Sequence, residues 1–350
     1  MSIRNTIAAW VSVITILAFA VSSQARAQTT VTISTVPSIP SISTYIALEK
    51  GYFREAGVEV KIESIDSLSK AMALLATNQI QLAQGGINVG YFNAIGQKLP
   101  VVMALESGST PVYHNFVVRT ALKDVIRTPA DLKGRNVAVS GAGSLSVYEL
   151  AVLMESVGLT LDEVNVKQLS FAQMGPALAS GALDVALMVA PFSDVAIDQK
   201  FAVPWIDPEE GYIKALPMTS LSYMASLDWI QKDRATALRV IRALIRAGRD
   251  YCQAYHGGPN RAEVVDLVLK YGIAKDRAQV DRMMWQSRSP DGRMNPDSIA
   301  DLYRVYKKEG LIEREPDMGK LIDSSLAAEA AASLGPFELI NKASPLKGCR

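Results

Sequence analysis

The chain has 350 residues, 49% of them hydrophobic and 20% charged, with 36 Lys and Arg against 35 Asp and Glu. Near-zero net charge without a basic run argues against nucleic acid or an acidic membrane surface as partner. Two His and two Cys are too few for a multi-ligand zinc site.

The first 27 residues predict an export signal. Arg4 supplies a positive start, Ile7 to Val21 is a nearly unbroken apolar run, and Ala25-Arg26-Ala27 offers small residues where a signal peptidase reads. Cleavage after Ala27 would remove Arg4 and Arg26 and leave a mature net charge of −1 in the periplasm. The apolar run is short for a membrane span, and no later stretch is apolar enough for one.

From Thr30 short β-branched runs alternate with helical stretches. "VTISTV" (31–36), "VEVKIESI" (58–65), "IQLAQ" (80–84) and "PVVMAL" (100–105) predict strands. Ser41–Gly51, 69–78 and Val89–Gln97 predict the helices between them. The series restarts with strands at 135–140, 165–170 and 183–190, and with helices at Val147–Val157 and 172–180, the latter interrupted by Gly175-Pro176. "LATNQIQLA" (75–83) and "LASGALDVA" (178–186) occupy matching places, which points to two similar α/β lobes. Beyond Thr219 the pattern turns helical: Trp229–Tyr255, Arg261–Tyr271, Asp276–Ser287 and Asp297–Glu309, with no further strand. Arg239, Arg242, Arg246 and Arg249 read as the solvated face of a packed helix. His256 reads as a surface turn, and Trp205 as either a cleft wall or lobe packing. Cys252 and Cys349 could pair in an oxidising compartment but read as two incidental thiols.

Ligands of parallel α/β sheets bind beyond the carboxyl ends of strands. Those ends are "PSIPS" (37–41), "DSLS" (66–69), "GGIN" (85–88), "SGAGSLS" (140–146), "SFAQ" (170–173) and "APF" (190–192). They offer hydroxyls, backbone N–H groups and an aromatic ring, but no His, Lys or Arg. This suits binding of a small polar or anionic molecule and is a poor set for catalysis. Some positions have local explanations: Ser146 with Glu149 forms an S-x-x-E capping pattern, and Gly85-Gly86 can supply unusual dihedrals. "GAGSLS" fails as a dinucleotide fingerprint, with Ser146 at the third glycine and no acid ending the next strand. No P-loop, G-x-S-x-G elbow or HExxH is present.

Five ordered motifs and the spacing between them carry a family resemblance: "ALEKGYFREAGVEV" (47–60), "ALLATNQIQLAQGG" (73–86), "TPADLKGRNVAVSGAGS" (128–144), "VGLTLDEVNV" (157–166) and "ALASGALDVALMVAPF" (177–192). The chain resembles the exported solute-binding proteins of ABC importers in the sulfonate, nitrate and taurine group, also called NMT1/THI5-like. That resemblance implies a type II periplasmic-binding-protein fold, with two α/β lobes closing on a cleft and a helical C-terminal region. Lobe one would be 28–118 plus 219–350, and lobe two 119–218. It implies Ser38, Pro40, Ser67, Gly85, Gly86 and Asn88 facing the cleft from lobe one. From lobe two it implies Gly143, Ser144, Leu145, Pro191 and Phe192. The implied partners are a small-molecule solute, an ABC permease and its ATPase, with the chain a monomer that needs no cofactor or metal. The apolar "VAPF" (189–192), where relatives often carry Trp or acids, suggests an aromatic carboxylate or an organosulfonate rather than nitrate. A periplasmic sensor for a membrane receptor is the alternative. A biosynthetic enzyme on this fold fits poorly, because the Cys-rich segment and reactive His of the thiamine-precursor synthases are missing.

Overall fold

A computed structural model describes residues 29–65, 68–111, 114–206 and 211–350. The export-signal prediction for residues 1–27 and the site prediction for Ser67 lie outside them. Among the described residues no helix is long and apolar enough to cross a membrane.

The described residues form ten strands in chain order: β1 Thr29–Ser34, β2 Val58–Glu63, β3 Leu82–Gly86, β4 Val101–Ser109, β5 His114–Arg119, β6 Asn136–Val139, β7 Asn165–Gln168, β8 Val185–Val189, β9 Ala202–Pro204 and β10 Thr219–Ser226. They make two sheets of one plan, β2-β1-β3-β10-β4 and β7-β6-β8-β5-β9. In each, a parallel trio (β2, β1, β3 or β7, β6, β8) is followed by one antiparallel strand that arrives from the other half of the chain. The chain crosses between the sheets after Ser109 and returns between Pro204 and Thr219. Because all of β5 pairs with β8 and β9, the division expected at 118/119 cuts a strand that belongs wholly to the second sheet.

β10 corrects the expectation that strands end before Thr219. "TSLSYMAS" is buried along its whole length, yet five of its eight residues carry hydroxyls, so it lacks an apolar signature. Partners within the fold satisfy several of them: Ser220 Oγ donates to Gly108 O at 3.0 Å, and Thr219 Oγ1 accepts from Asn295 N at 2.8 Å.

Helix Arg234–Tyr255 is capped by Asp233, whose carboxylate accepts from Thr236 N at 3.1 Å. It buries Val240, Ile241, Leu244 and Tyr251 against the first sheet and helix Ile42–Glu49. Its arginine row is not merely solvated. Arg239 Nε donates to Ala56 O, Arg246 pairs with Glu55, Arg242 donates to Ser333, and Arg249 pairs with Asp291. The guanidiniums thus tether neighbouring segments, Arg239 and Arg249 through backbone carbonyls of Ala56 and Gly335. The Gly175-Pro176 pair does not interrupt helix Phe171–Ser180. Pro176 and Ala172, whose carbonyl loses its intrahelical partner, both lie on the exposed side where water can serve it.

Cys252 and Cys349 form a disulfide, not two incidental thiols. The C-terminal tail folds back over helix Arg234–Tyr255 and brings Cys349 beside Cys252. His256 holds the same tail and is not a surface turn: it is 2% exposed, with Nδ1 2.9 Å from Ser344 Oγ and Nε2 3.0 Å from Gly348 O.

Candidate functional site

The strand ends of the two sheets face each other across a cavity of about 400 Å³. The first lobe contributes Val36, Pro37, Ser38, Ile39 and Pro40 after β1, and Gln84, Gly85 and Gly86 from β3. The second contributes Phe171 after β7 and Val189, Ala190, Pro191 and Phe192 from β8 and the turn beyond it. Leu221 of β10 and Ile273, Met283 and Met284 of the C-terminal region complete the wall.

Local chemistry shapes each wall. Ser41 ties the loop after β1 into a turn: its hydroxyl donates to Val36 O at 2.6 Å and accepts from Ser38 N at 3.0 Å. Gln84 is fixed at both ends of its amide, accepting from Thr35 Oγ1 at 3.2 Å and donating to Ser107 Oγ at 3.1 Å. Phe171 and Phe192 stack with centroids 6.2 Å apart.

Gly85 and Gly86 are informative because nothing in the backbone requires them. Neither has a positive φ, so unusual dihedrals are not their role. A Cβ on Gly85 would meet nothing within 4 Å, and one on Gly86 would only touch Ser220 O at 3.9 Å. The absent side chains leave open space that the cavity uses.

Six expected site residues line the cavity: Ser38, Pro40, Gly85, Gly86, Pro191 and Phe192. Asn88 is not among the lining residues; it is the N-cap residue of helix Val89–Gly96, with its buried Oδ1 unpartnered among the described residues. Gly143, Ser144 and Leu145 are not among the lining residues; they form a lobe-to-lobe contact. Gly143 O accepts from Val89 N at 3.1 Å, and Ser144 O accepts from the Tyr306 hydroxyl at 3.2 Å. Ser144 Oγ donates to Gly141 O at 2.8 Å, and Leu145 is buried in the apolar cluster around Tyr91 and Tyr306.

Helix Leu145–Ser156 has Ser144, not Ser146, at its N-cap. The expected capping pattern therefore does not form, and Ser146 Oγ accepts from Ser140 N at 3.0 Å instead. This helix packs against helix Pro296–Lys308. Tyr148 donates to Asp301 at 2.7 Å, while Arg304 and Lys308 pair with Glu155 at 3.1 and 2.6 Å. Trp205 packs in the second lobe against Phe116 rather than walling the cleft.

Sequence reasoning missed Gln84, Met283 and Met284. The methionines follow helix Arg277–Arg282, which stops well short of the expected Ser287 and releases an extended segment across the cleft. It also missed a buried pair below the cavity, Arg288 and Glu106, each 3% exposed. Burial pushes the Glu106 carboxyl up to about 8, against the opposing charge of Arg288 and the hydrogen bond from Ser289 N. On helix Phe192–Asp198, burial and the neighbouring Asp198 raise Asp194 above the usual carboxylate range. Among the described residues lining the cavity there is no Lys, Arg or His.

Comparison with known proteins now places the chain. The NMT1/THI5-like family matches residues 39–256. The chain belongs to that family. It is 23% identical to YtlA of Bacillus subtilis (strain 168) over 332 residues, 92% of this chain and 96% of that one. It is 30% identical to the formylaminopyrimidine-binding protein of Halalkalibacterium halodurans over 142 residues, 40% of this chain and 41% of the other. Among solved structures, the periplasmic aliphatic sulphonate binding protein SsuA of Escherichia coli superposes with a TM-score of 0.69 at 18% identity, covering 84% of this chain and 92% of that one. As the sequence implied, this NMT1/THI5-like chain has the periplasmic-binding-protein fold, here with two sheets of identical plan.

Proposed function

We propose that this chain is the solute-binding component of an ABC importer. In the periplasm it would capture a small organic solute by lobe closure and deliver it to a permease and its ATPase. The observation that carries this reading is the cavity between the two lobes, where Gly85 and Gly86 leave side-chain space open without any backbone need for glycine. The wall favours a solute with an apolar or aromatic part, set against Phe171, Phe192, Leu221 and the two methionines. The polar end would use Ser38, Gln84 and backbone N–H groups, and Asn88 if it reaches that far. An aromatic carboxylate or organosulfonate fits this division. The names of the E. coli and H. halodurans relatives, one a sulphonate binder and one a formylaminopyrimidine binder, support small organic solutes of this kind.

A thermal-shift screen of the protein against organosulfonates, aromatic and aliphatic carboxylates, pyrimidines and nitrate tests the reading. At least one organic class should raise the melting temperature, and Gly85→Leu, which fills the cavity, should abolish that rise while leaving the unliganded protein folded. Turnover of a candidate without any stabilising ligand would overturn it.

A further inference from the structure

Beneath the loop Val36–Ser41 lies a guanidinium that, among the described residues, has no carboxylate within ion-pair distance. Arg288 donates through Nη2 to Pro40 O at 3.0 Å and Ile39 O at 3.5 Å, and through Nη1 to the Ser43 hydroxyl. It lies over the Tyr251 ring at 3.9 Å, and its Nε has no hydrogen-bond partner among the described residues. Ile39 and Pro40 also line the cavity. A single layer of residues therefore separates this charge from a bound solute, in surroundings too dry to screen it well.

The opposite charge that interacts with it is Glu106 on β4. Its Oε2 accepts from Ser289 N at 2.9 Å, while burial, opposed by Arg288 and by hydrogen bonds from Ser289, Ser109 and Gly108, raises its pKa. Other titratable groups around the pair are Tyr223 of β10, Tyr45 of helix Ile42–Glu49 and Tyr251 of helix Arg234–Tyr255, all raised by burial. Asp291, on the segment after Arg288, is paired with Arg249 at 2.7 Å, and Glu329 of helix Ser325–Leu334 with Arg234 at 2.7 Å. Glu106 is thus the group free to change the local charge.

We propose that Arg288 and Glu106 set the charge selectivity of the cleft. With Glu106 protonated, the buried guanidinium makes the cavity floor positive and favours a solute bearing one negative charge; with Glu106 ionised, that preference is cancelled. The inference rests on the proposed reading of the cavity as the solute site. It explains how a cleft with no cationic lining residue can still prefer an anion. The preference is present below about pH 8, where burial has moved Glu106, and fades above it.

Two dyes sharing one ring system test this. 8-Anilinonaphthalene-1-sulfonate is anionic, and N-phenyl-1-naphthylamine is the same skeleton without the sulfonate. Fluorescence titration of the full protein should show the sulfonate bound roughly tenfold more tightly at pH 6.5 than at pH 9.5, with the neutral dye unchanged. Glu106→Gln should keep the tight sulfonate binding at both pH values, and Arg288→Gln should lose it at both. Should Arg288→Gln fail to fold, the pH dependence of Glu106→Gln decides alone. A sulfonate-to-neutral affinity ratio with the same pH dependence in the wild type and Glu106→Gln would overturn the proposal. Gly85→Leu keeps the two readings apart. If it abolishes binding of both dyes, they report on the cavity and the ratio decides the charge inference; if both still bind, the cavity reading fails and the inference falls with it.

Discussion

The carbonyl oxygen of Gly143 accepts a hydrogen bond from the backbone N–H of Val89, 3.1 Å away in the opposite lobe. The turn "GAGS" thus supplies a partner to one of the free N–H groups that open helix Val89–Gly96. Glycine is needed here for close approach, since a Cβ at position 143 would lie 2.6 Å from Val89 Cβ. Gly143→Val should therefore disfavour the closed arrangement by about 1–3 kcal/mol. With the stabilising solute bound, small-angle scattering should show a larger radius of gyration for the variant than for the wild type. An unchanged radius would mean that the contact contributes nothing to closure.

Phe192 is 39% exposed and stacks on Phe171 at the cavity wall. Removing a half-exposed ring at a cavity mouth costs the fold little but removes ligand-facing apolar area. Phe192→Ala should change the unfolding free energy by less than about 1 kcal/mol. It should weaken an aromatic ligand roughly tenfold, in line with about 1.5 kcal/mol for a ring contact. Parallel denaturant melts and dye titrations separate the two effects. A large stability loss with unchanged affinity would assign Phe192 to packing.

These positions also mark what the sequence made legible. Most of β1 to β3 and β6 to β8 announce themselves through short apolar runs between helical segments; the strand-end rule marked the stretches, and the family resemblance within them picked out Ser38, Pro40, Gly85, Gly86, Pro191 and Phe192. β10 stayed hidden because half of its buried positions are serines and threonine, of which Thr219 and Ser220 find partners far along the chain. Gly143 and Ser144 looked like ligand grips because a turn before a helix offers the same N–H groups to a solute or to another lobe. Arg288 could not be found by pattern: its role depends on a fold that carries it beneath a loop about 250 residues earlier in sequence. Met283 and Met284 were read into a helix whose period they extend, and the chain's departure from that helix is a tertiary event.

The disulfide closes a loop with a sequence separation of 97. Cross-linking a loop of that size removes enough freedom from the unfolded chain to stabilise the fold by about 4.7 kcal/mol on the chain-entropy account. Reduction, or Cys349→Ser, should lower the guanidinium midpoint accordingly. The reduced wild type and the Cys349→Ser variant should unfold at the same midpoint. If the variant is markedly weaker than the reduced protein, Cys349 contributes packing beyond the bond.

The same tail carries a pH dependence through His256. Burial lowers its pKa below the ordinary 6.5 against the hydrogen bond to Gly348, so the folded protein holds the ring neutral where the unfolded chain begins to protonate. Above pH 6.5 the ring is neutral in both states and stability does not depend on it. As pH falls through 6.5 the unfolded chain binds the extra proton, and stability declines by at most about 1.4 kcal/mol per pH unit until the folded pKa is reached. His256→Gln keeps a side chain able to meet Ser344 and Gly348 but does not titrate. The difference in unfolding free energy between wild type and His256→Gln should be constant from pH 8 to 6.5 and should change in favour of the variant between pH 6.5 and 5. A difference that stays flat to pH 5 would show that His256 titrates alike in the folded and unfolded chains.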